Sequence, residues 1–431
     1  MKRKRRPWRF WPLVLVLWAA GAAAGEQFGF NPSEYEKKAF ELNGYAELKQ
    51  EHFALNPDGA FYRLMFLGEP QRETLDRTTG TVELAGRWRH GIGTFDFRTN
   101  SLQQSDQLAS GGETRIFDAA YALRPDPGLT VEAGKRALSW GKGYAFNPIG
   151  FVQRAKDPND PQLAREGFVM ADADWITSPG GALQTVALTP VLLPVSGDIN
   201  NGFGAPGHLN PAAKLYLLYR NTDIDLAWQG AGSRPARYGA DFARNVTSNF
   251  EVHGEWARIG SFTLPVTDDA GRVTTQTGAA TSWLLGLRYL TVRDTTYIAE
   301  YYRNGTGYSE DEFRDFYALV DAAFATENTA LEQKVLALSQ ASYGRPNAGT
   351  DYFYLRAQQK DAFGIVYFQP AITFMMNAQD HSYQFTPELD YTGIKNLELR
   401  GRIYLLEGAS NTEFGEKQAS RKLEIFARYY F

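Results

Sequence analysis

Leu397-Glu-Leu-Arg-Gly-Arg-Ile-Tyr-Leu405 decides the fold. Leu397, Leu399, Gly401, Ile403 and Leu405 fall on one face of an extended chain, and Glu398, Arg400, Arg402 and Tyr404 on the other. A period of two belongs to a β-strand, whose successive side chains point to opposite faces. The end of the chain repeats the pattern, with Leu423, Ile425, Ala427, Tyr429 and Phe431 set against Lys422, Glu424, Phe426, Arg428 and Tyr430. Ile224, Leu226 and Trp228 alternate with Asp223 and Asp225, and Phe250, Val252 and Trp256 with Glu251, His253 and Glu255. These runs last about 9 to 13 residues, whereas strands of soluble proteins average about 5 to 6. Aromatic residues sit at segment ends: Trp88, Tyr238, Trp283, Tyr289, Tyr391, Tyr429 and Phe431. That placement is what an interfacial girdle requires.

Turn chemistry supplies a second test. Short turn signals such as His90-Gly91, Pro125-Asp-Pro-Gly128, Asn221-Thr222 and Arg293-Asp294 follow every second strand. Long connectors fall between them, at 54–78, 139–167, 193–211, 261–280, 305–349 and 408–420. The alternation predicts an all-β fold: a transmembrane antiparallel barrel over 41–431, of about 18 strands, 16 to 18 in all. Phe61 to Leu67 is assigned to the first long loop, because counting it as a strand breaks the parity. One segment abandons period two. Ser309-Glu-Asp-Glu312 is a capping box, followed by Phe313, Phe316, Tyr317, Val320 and Phe324 at helical spacing. Thr329 and Glu332 suggest a second box, so a helical hairpin is expected at 309–342 within the longest connector.

The N-terminus points to export. A basic start, Met1-Lys-Arg-Lys-Arg-Arg6, precedes the apolar Leu13-Val-Leu-Val-Leu-Trp-Ala-Ala20 and the small Ala22-Ala-Ala24. This is the pattern of a signal peptide over 1–24, cleaved before a periplasmic N-terminal segment at 25–40. Its removal takes six of the 45 basic residues and leaves 39 against 49 acids. A nucleic-acid partner is therefore not expected, since a polyanion would meet a polyanion. With no cysteine in the 431 residues, disulfide frameworks, thiolate nucleophiles and cysteine-ligated metal are ruled out. An aromatic share of 14% excludes a disordered chain as the main reading.

The terminal Ala427-Arg-Tyr-Tyr-Phe431 resembles the last strand of Gram-negative outer-membrane proteins. The resemblance implies residence in the cell outer membrane, among its lipid. It also implies that Tyr429, Tyr430 and Phe431 are an assembly signal read by the barrel-assembly machinery. In layout the chain is similar to porins and, loosely, to the alginate-export family. Gly134-Lys-Arg136, followed by Trp140-Gly-Lys-Gly143 and Asn147-Pro148, looks like motifs of porin-like proteins.

Catalysis finds little support. His52, His90, His208, His253 and His381 show no metal-ligand spacing. His381 and Ser382 are adjacent in sequence and so point to opposite faces of a strand. No cofactor, no metal and no enzymatic activity are expected. The segment 139–167 is the leading functional candidate. Its prolines make it stiff, and Arg154, Lys156, Asp157, Asp160, Arg165 and Glu166 would oppose one another in a pore constriction. Lumen-wall candidates are Asp223, Asp225, Asp241, Glu251 and Glu255, with only Arg237 to balance them. On the opposite side stand Arg87, Arg98, Arg400, Arg402 and Arg428 among Glu47, Glu83, Asp96, Glu398 and Glu424, so that side is near neutral overall and any transverse field would come from the acidic side. The function these features imply is a channel for passive diffusion or export of small polar or anionic solutes. The alternative is a structural sheath around a periplasmic or extracellular partner such as a multihaem cytochrome or a polymer-export machine.

Overall fold

The computed structural model describes residues 38–431, so the signal peptide expected at 1–24 and most of the segment expected at 25–40 lie outside the described residues. The strands are β1 (Phe40–Leu55), β2 (Thr74–His90), β3 (Gly93–Asp106), β4 (Ser110–Asp126), β5 (Leu129–Arg136) and β6 (Phe168–Thr177). They continue with β7 (Leu183–Val195), β8 (His208–Tyr219), β9 (Thr222–Gln229), β10 (Arg237–Thr247), β11 (Phe250–Thr267) and β12 (Val273–Leu290). The last are β13 (Thr295–Arg303), β14 (Asp351–Gln359), β15 (Phe368–Asn377), β16 (Tyr383–Ile394), β17 (Leu397–Glu407) and β18 (Ala419–Tyr430). Each strand pairs antiparallel with its sequence neighbours, and β1 pairs with both β2 and β18. The sheet is a closed 18-strand barrel. At its seam Gly44 and Phe431 exchange two backbone hydrogen bonds of 3.0 Å.

The alternation resolves into an apolar outside and a charged inside. Leu399, Ile403, Leu423 and Ile425 are exposed on the outer face, while Glu398, Arg402, Glu424 and Phe426 are buried on the inner one. In a soluble protein such an exterior would be an aggregation surface; here it forms a continuous band fit for hydrocarbon. Aromatic rows edge the band. At the short-turn end Phe40, Trp88, Phe95 and Tyr121 stand in register across β1 to β4. At the other end Trp283 and Tyr301 have ring centroids 5.2 Å apart, and Tyr301 and Phe353 4.8 Å.

Connections after even-numbered strands are short. Between β8 and β9 a single pair, Arg220 and Asn221, turns the chain, both with positive φ (48° and 59°), as a twist-matched hairpin demands. Several long connectors are shorter than expected, the one at 261–280 most of all. The 261–280 stretch continues β11 and β12 as a paired ribbon, turning at 268–272. Its alternation is interrupted by Pro265, which is tolerated there. The first long loop contains a helix, α1 (Ala60–Met65), that buries Phe61, Tyr62 and Leu64.

The helical hairpin forms as α2 (Glu310–Ala325) and α3 (Thr329–Leu338). Ser309 and Glu312 cap α2 reciprocally, as the box predicts. At α3 the cap is Asn328, not Thr329: its side chain accepts from the Leu331 amide. The hairpin packs Phe313, Phe316, Tyr317 and Val320 against Phe61 and Leu64 of α1 on one side and Leu264 of β11 on the other. Because α1 springs from the β1–β2 wall, ten strands round from β11, this apolar cluster roofs the long-loop end of the barrel.

Candidate functional site

The segment 139–167 leaves β5 and runs inside the barrel. Trp140, Ile149, Phe151 and Val152 are buried against Met170, Val191, Leu193, Ala212 and Ala257 of the inner wall. This explains why β7 is apolar on both faces: Leu188 and Leu192 face outward, and Val191 and Leu193 meet the segment. Small wall residues such as Ala212 and Ala257 leave space for its large side chains.

Two buried carboxylates pin the segment by its backbone. Glu255 accepts from the Gly143 amide at 2.6 Å and from the Ile149 amide at 3.2 Å. Glu300 accepts from the amides of Tyr144 and Ala145, the latter at 2.9 Å, and lies 2.9 Å from His253 Nε2. Charge-assisted hydrogen bonds of this kind are roughly twice as strong as neutral ones. The glycines of Trp140-Gly-Lys-Gly143 are required here. Gly141 has φ of 101°, and a Cβ on it would lie 2.6 Å from the Glu255 carboxylate. Glu300 was not among the sequence candidates, because the segment amides it holds lie more than 150 positions away.

Beyond the pins the segment crosses to the opposite wall. Asn159 accepts from Gln384 of β16, and Asp160 lies 3.4 Å from Arg402 and 3.6 Å from Arg400. Its charges are not opposed across open water as expected. Arg154 pairs with Glu166 at 3.1 Å, and Glu166 also meets Lys135 at 2.5 Å. Arg165 donates to the Arg154 carbonyl at 3.0 Å, Lys156 to the Gly143 carbonyl, and Asp157 accepts from the Asn159 amide at 2.9 Å. Short-range pairing within the segment and with the wall replaces a facing ring of charge. Burial pulls the Lys156 ammonium below the ordinary lysine value, against the pull of Glu255 and Glu300.

The wall candidates all line the lumen, yet the acidic side is better balanced than the sequence suggested. Lys142 of the segment reaches Asp225 at 3.0 Å, and Lys214 lies 3.7 Å from the same carboxylate. Burial opposes the Lys142 charge, but Asp225 and Asp241 together hold its pKa above the usual value. Asp223 accepts from Tyr216 at 2.5 Å, and Glu251 lies 3.5 Å from His253. On the other side Arg87 meets Asp96 at 2.5 Å, Arg98 meets Asp118 at 3.5 Å, and Arg428 meets Glu47 at 2.6 Å. Any transverse field is therefore largely cancelled by pairing. Ser382 donates to Asp380 at 2.7 Å and accepts from the Phe414 amide, a structural role.

The segment divides the lumen. On the long-loop side lies a cavity of about 610 Å³, and on the short-turn side one of about 270 Å³. Lys156 lines both.

No family model matches the chain, and no curated protein matches it. Among solved structures it is similar to a triple mutant of Rhodopseudomonas blastica porin, at 12% identity and a TM-score of 0.42. A second mutant of that porin gives 10% identity and a TM-score of 0.44. Each likeness covers 91% of this chain and 100% of the porin. The likeness is confined to barrel architecture.

Proposed function

We propose that the protein is a porin-like channel of the bacterial outer membrane, open to passive diffusion or export of small polar or anionic solutes. One observation carries the reading: a closed barrel with an apolar exterior holds a stiff segment of its own chain across a lumen lined with ions. An 18-strand barrel is wide enough for water, and an inward segment narrows it to small-molecule size. Arg154, Lys156, Asp157, Asp160, Arg165 and Glu166 would then screen solutes by charge and size. The protein would reach the membrane by way of its signal peptide and the barrel-assembly machinery, with Tyr429, Tyr430 and Phe431 as the recognised end. A segment of the chain's own fills the space an enclosed partner would need, which weighs against the sheath. No step of diffusion calls for a cofactor or for catalysis.

Single-channel recording of the purified protein in planar bilayers tests the reading. Discrete conductance steps, with a reversal potential that shifts in a salt gradient, are the expected result. A folded protein that inserts and never conducts would overturn it.

A further inference from the structure

The larger cavity carries an imbalance not shared by the cavities around Arg98, Lys422 and Lys142, each of which is lined by carboxylates as well as bases. Arg154, Lys156, Arg234, Arg237 and Arg345 line it, and no Asp or Glu does. Of the five, Arg154 is matched by Glu166. Among the described residues the other four make no ion pair, whereas Arg98, Arg136, Arg356, Arg402 and Arg428 elsewhere in the lumen all face carboxylates. What holds three of the four in place is neutral. Arg234 donates to the Phe203 carbonyl and stacks over the Phe203 ring at 4.0 Å. Arg345 donates to the Thr306 carbonyl, and Lys156 to that of Gly143. Carbonyls and a ring fix orientation without cancelling charge. The Nε atoms of Arg237 and Arg345 are buried with no hydrogen-bond partner. Burial, together with Arg237 and Arg154 nearby, pushes the Arg234 guanidinium down to about 10. Uncompensated like charges in a partly dry cavity repel, and a counter-charge brought by a ligand relieves them.

We propose that this cavity is a binding site for a small oxyanion of at least two negative charges, gripped by Arg234, Arg237 and Arg345 with Lys156 beneath it. Guanidinium groups match the paired oxygens of carboxylate and phosphate, so compact polycarboxylates and phosphate share the required chemistry. The volume lies within the range of small-molecule sites. Asn147, Asn304 and Tyr302 also line it and add neutral hydrogen-bonding groups for the remainder of an organic anion. Lys156, common to both cavities, offers the next cationic station toward the short-turn end. The site rests on the channel reading for the route by which the anion comes and goes, and not for binding itself.

Titration calorimetry on the folded, detergent-solubilised protein tests it, with citrate and inorganic phosphate as probes and maltose as the neutral control. Saturable binding of citrate, phosphate or both is expected at low salt, with none of maltose. Arg234→Gln/Arg237→Gln/Arg345→Gln should weaken it tenfold or more, and Arg345→Gln alone about threefold. Arg98→Gln, in a separate cavity, should change it less than twofold. Which probe binds tighter separates the carboxylate source from the phosphate one. Absence of binding by both anions, or equal binding by the triple variant, overturns the proposal; if the triple variant loses its heat-modifiable folded form, Arg345→Gln decides. Binding without conductance would discard the channel and keep the site, and conductance without binding the reverse.

Discussion

Arg402 on the β17 wall and Asp160 in the crossing segment lie 3.4 Å apart, although 242 positions separate them in the chain. Arg400 approaches the same carboxylate at 3.6 Å. This contact fastens the far end of the segment. Asp160→Asn removes the charge and keeps the shape, so the tip should loosen and conductance rise by about twofold. Recording in symmetric potassium chloride checks it; an unchanged conductance would mean the tip is held by Asn159 and Gln384 alone.

The pins are the stronger hold. Glu255→Ala with Glu300→Ala leaves four backbone amides of the segment without their carboxylates. Each lost charge-assisted bond costs about 1.5 to 3 kcal/mol, enough together to free the segment. The double variant should conduct several-fold more than the parent and become sensitive to protease cleavage near Asp157. Resistance to cleavage would show that apolar packing through Trp140 and Phe151 suffices.

Selectivity should follow the segment's bases. Replacing Arg154, Lys156 and Arg165 by Gln should move the reversal potential toward cations, and replacing Asp157, Asp160 and Glu166 the other way. The Debye length is about 30 Å at 0.01 M and about 3 Å at 1 M, so the difference should fade in concentrated salt. Because burial lowers the Lys156 pKa, its charge goes before that of an exposed lysine as pH rises. Anion preference should fall on the alkaline side, and Lys156→Gln should flatten that limb.

Topology can be read with single cysteines, since the sequence has none. Gln333→Cys on the exposed face of α3 should react with an impermeant thiol reagent on intact cells. Val292→Cys, fully exposed in the turn between β12 and β13, should react after permeabilisation alone. Asn328 is a poorer reporter, because it caps α3. Equal labelling of both would invert or abolish the assigned sidedness.

Deleting Tyr430 and Phe431 removes the bonds between Phe431 and Gly44 and the 2.5 Å contact from the Tyr430 hydroxyl to Glu398. The truncated chain should yield less heat-modifiable folded barrel by gel mobility. Full yield would leave the terminal aromatics without a role in assembly.

The strands were legible because their signals are local. Period two, and turns such as His90-Gly91 or Asn221-Thr222, are written in adjacent residues. The β11–β12 ribbon was missed because Pro265 breaks the pattern, and α1 because six residues are too few for a helical period. The inward course of 139–167 could be suspected from its prolines and mixed charges, but its partners could not. Glu255, Glu300, Gln384 and Arg402 meet it only once the barrel has closed. Arg234 and Arg345 escaped notice for the same reason: each is one base in a loop, and the cluster exists only where two loops converge. Each stands before a proline or close to one, in Ser233-Arg-Pro and Gly344-Arg-Pro, the one local hint that its backbone is held stiffly.

The pairing of β1 with β18 also dictates an order of events. Glu47 and Arg428 meet across 381 positions, so almost the whole chain must be gathered before that contact can form. Ring closure over such a span carries the largest entropic cost of any pairing in the molecule, whereas each hairpin closes over a few tens of residues. Until then two long strands stand with unsatisfied amides and carbonyls, open to any other extended peptide. The β1–β18 pairing is therefore expected to form last, and both rims need shielding from other chains until it does.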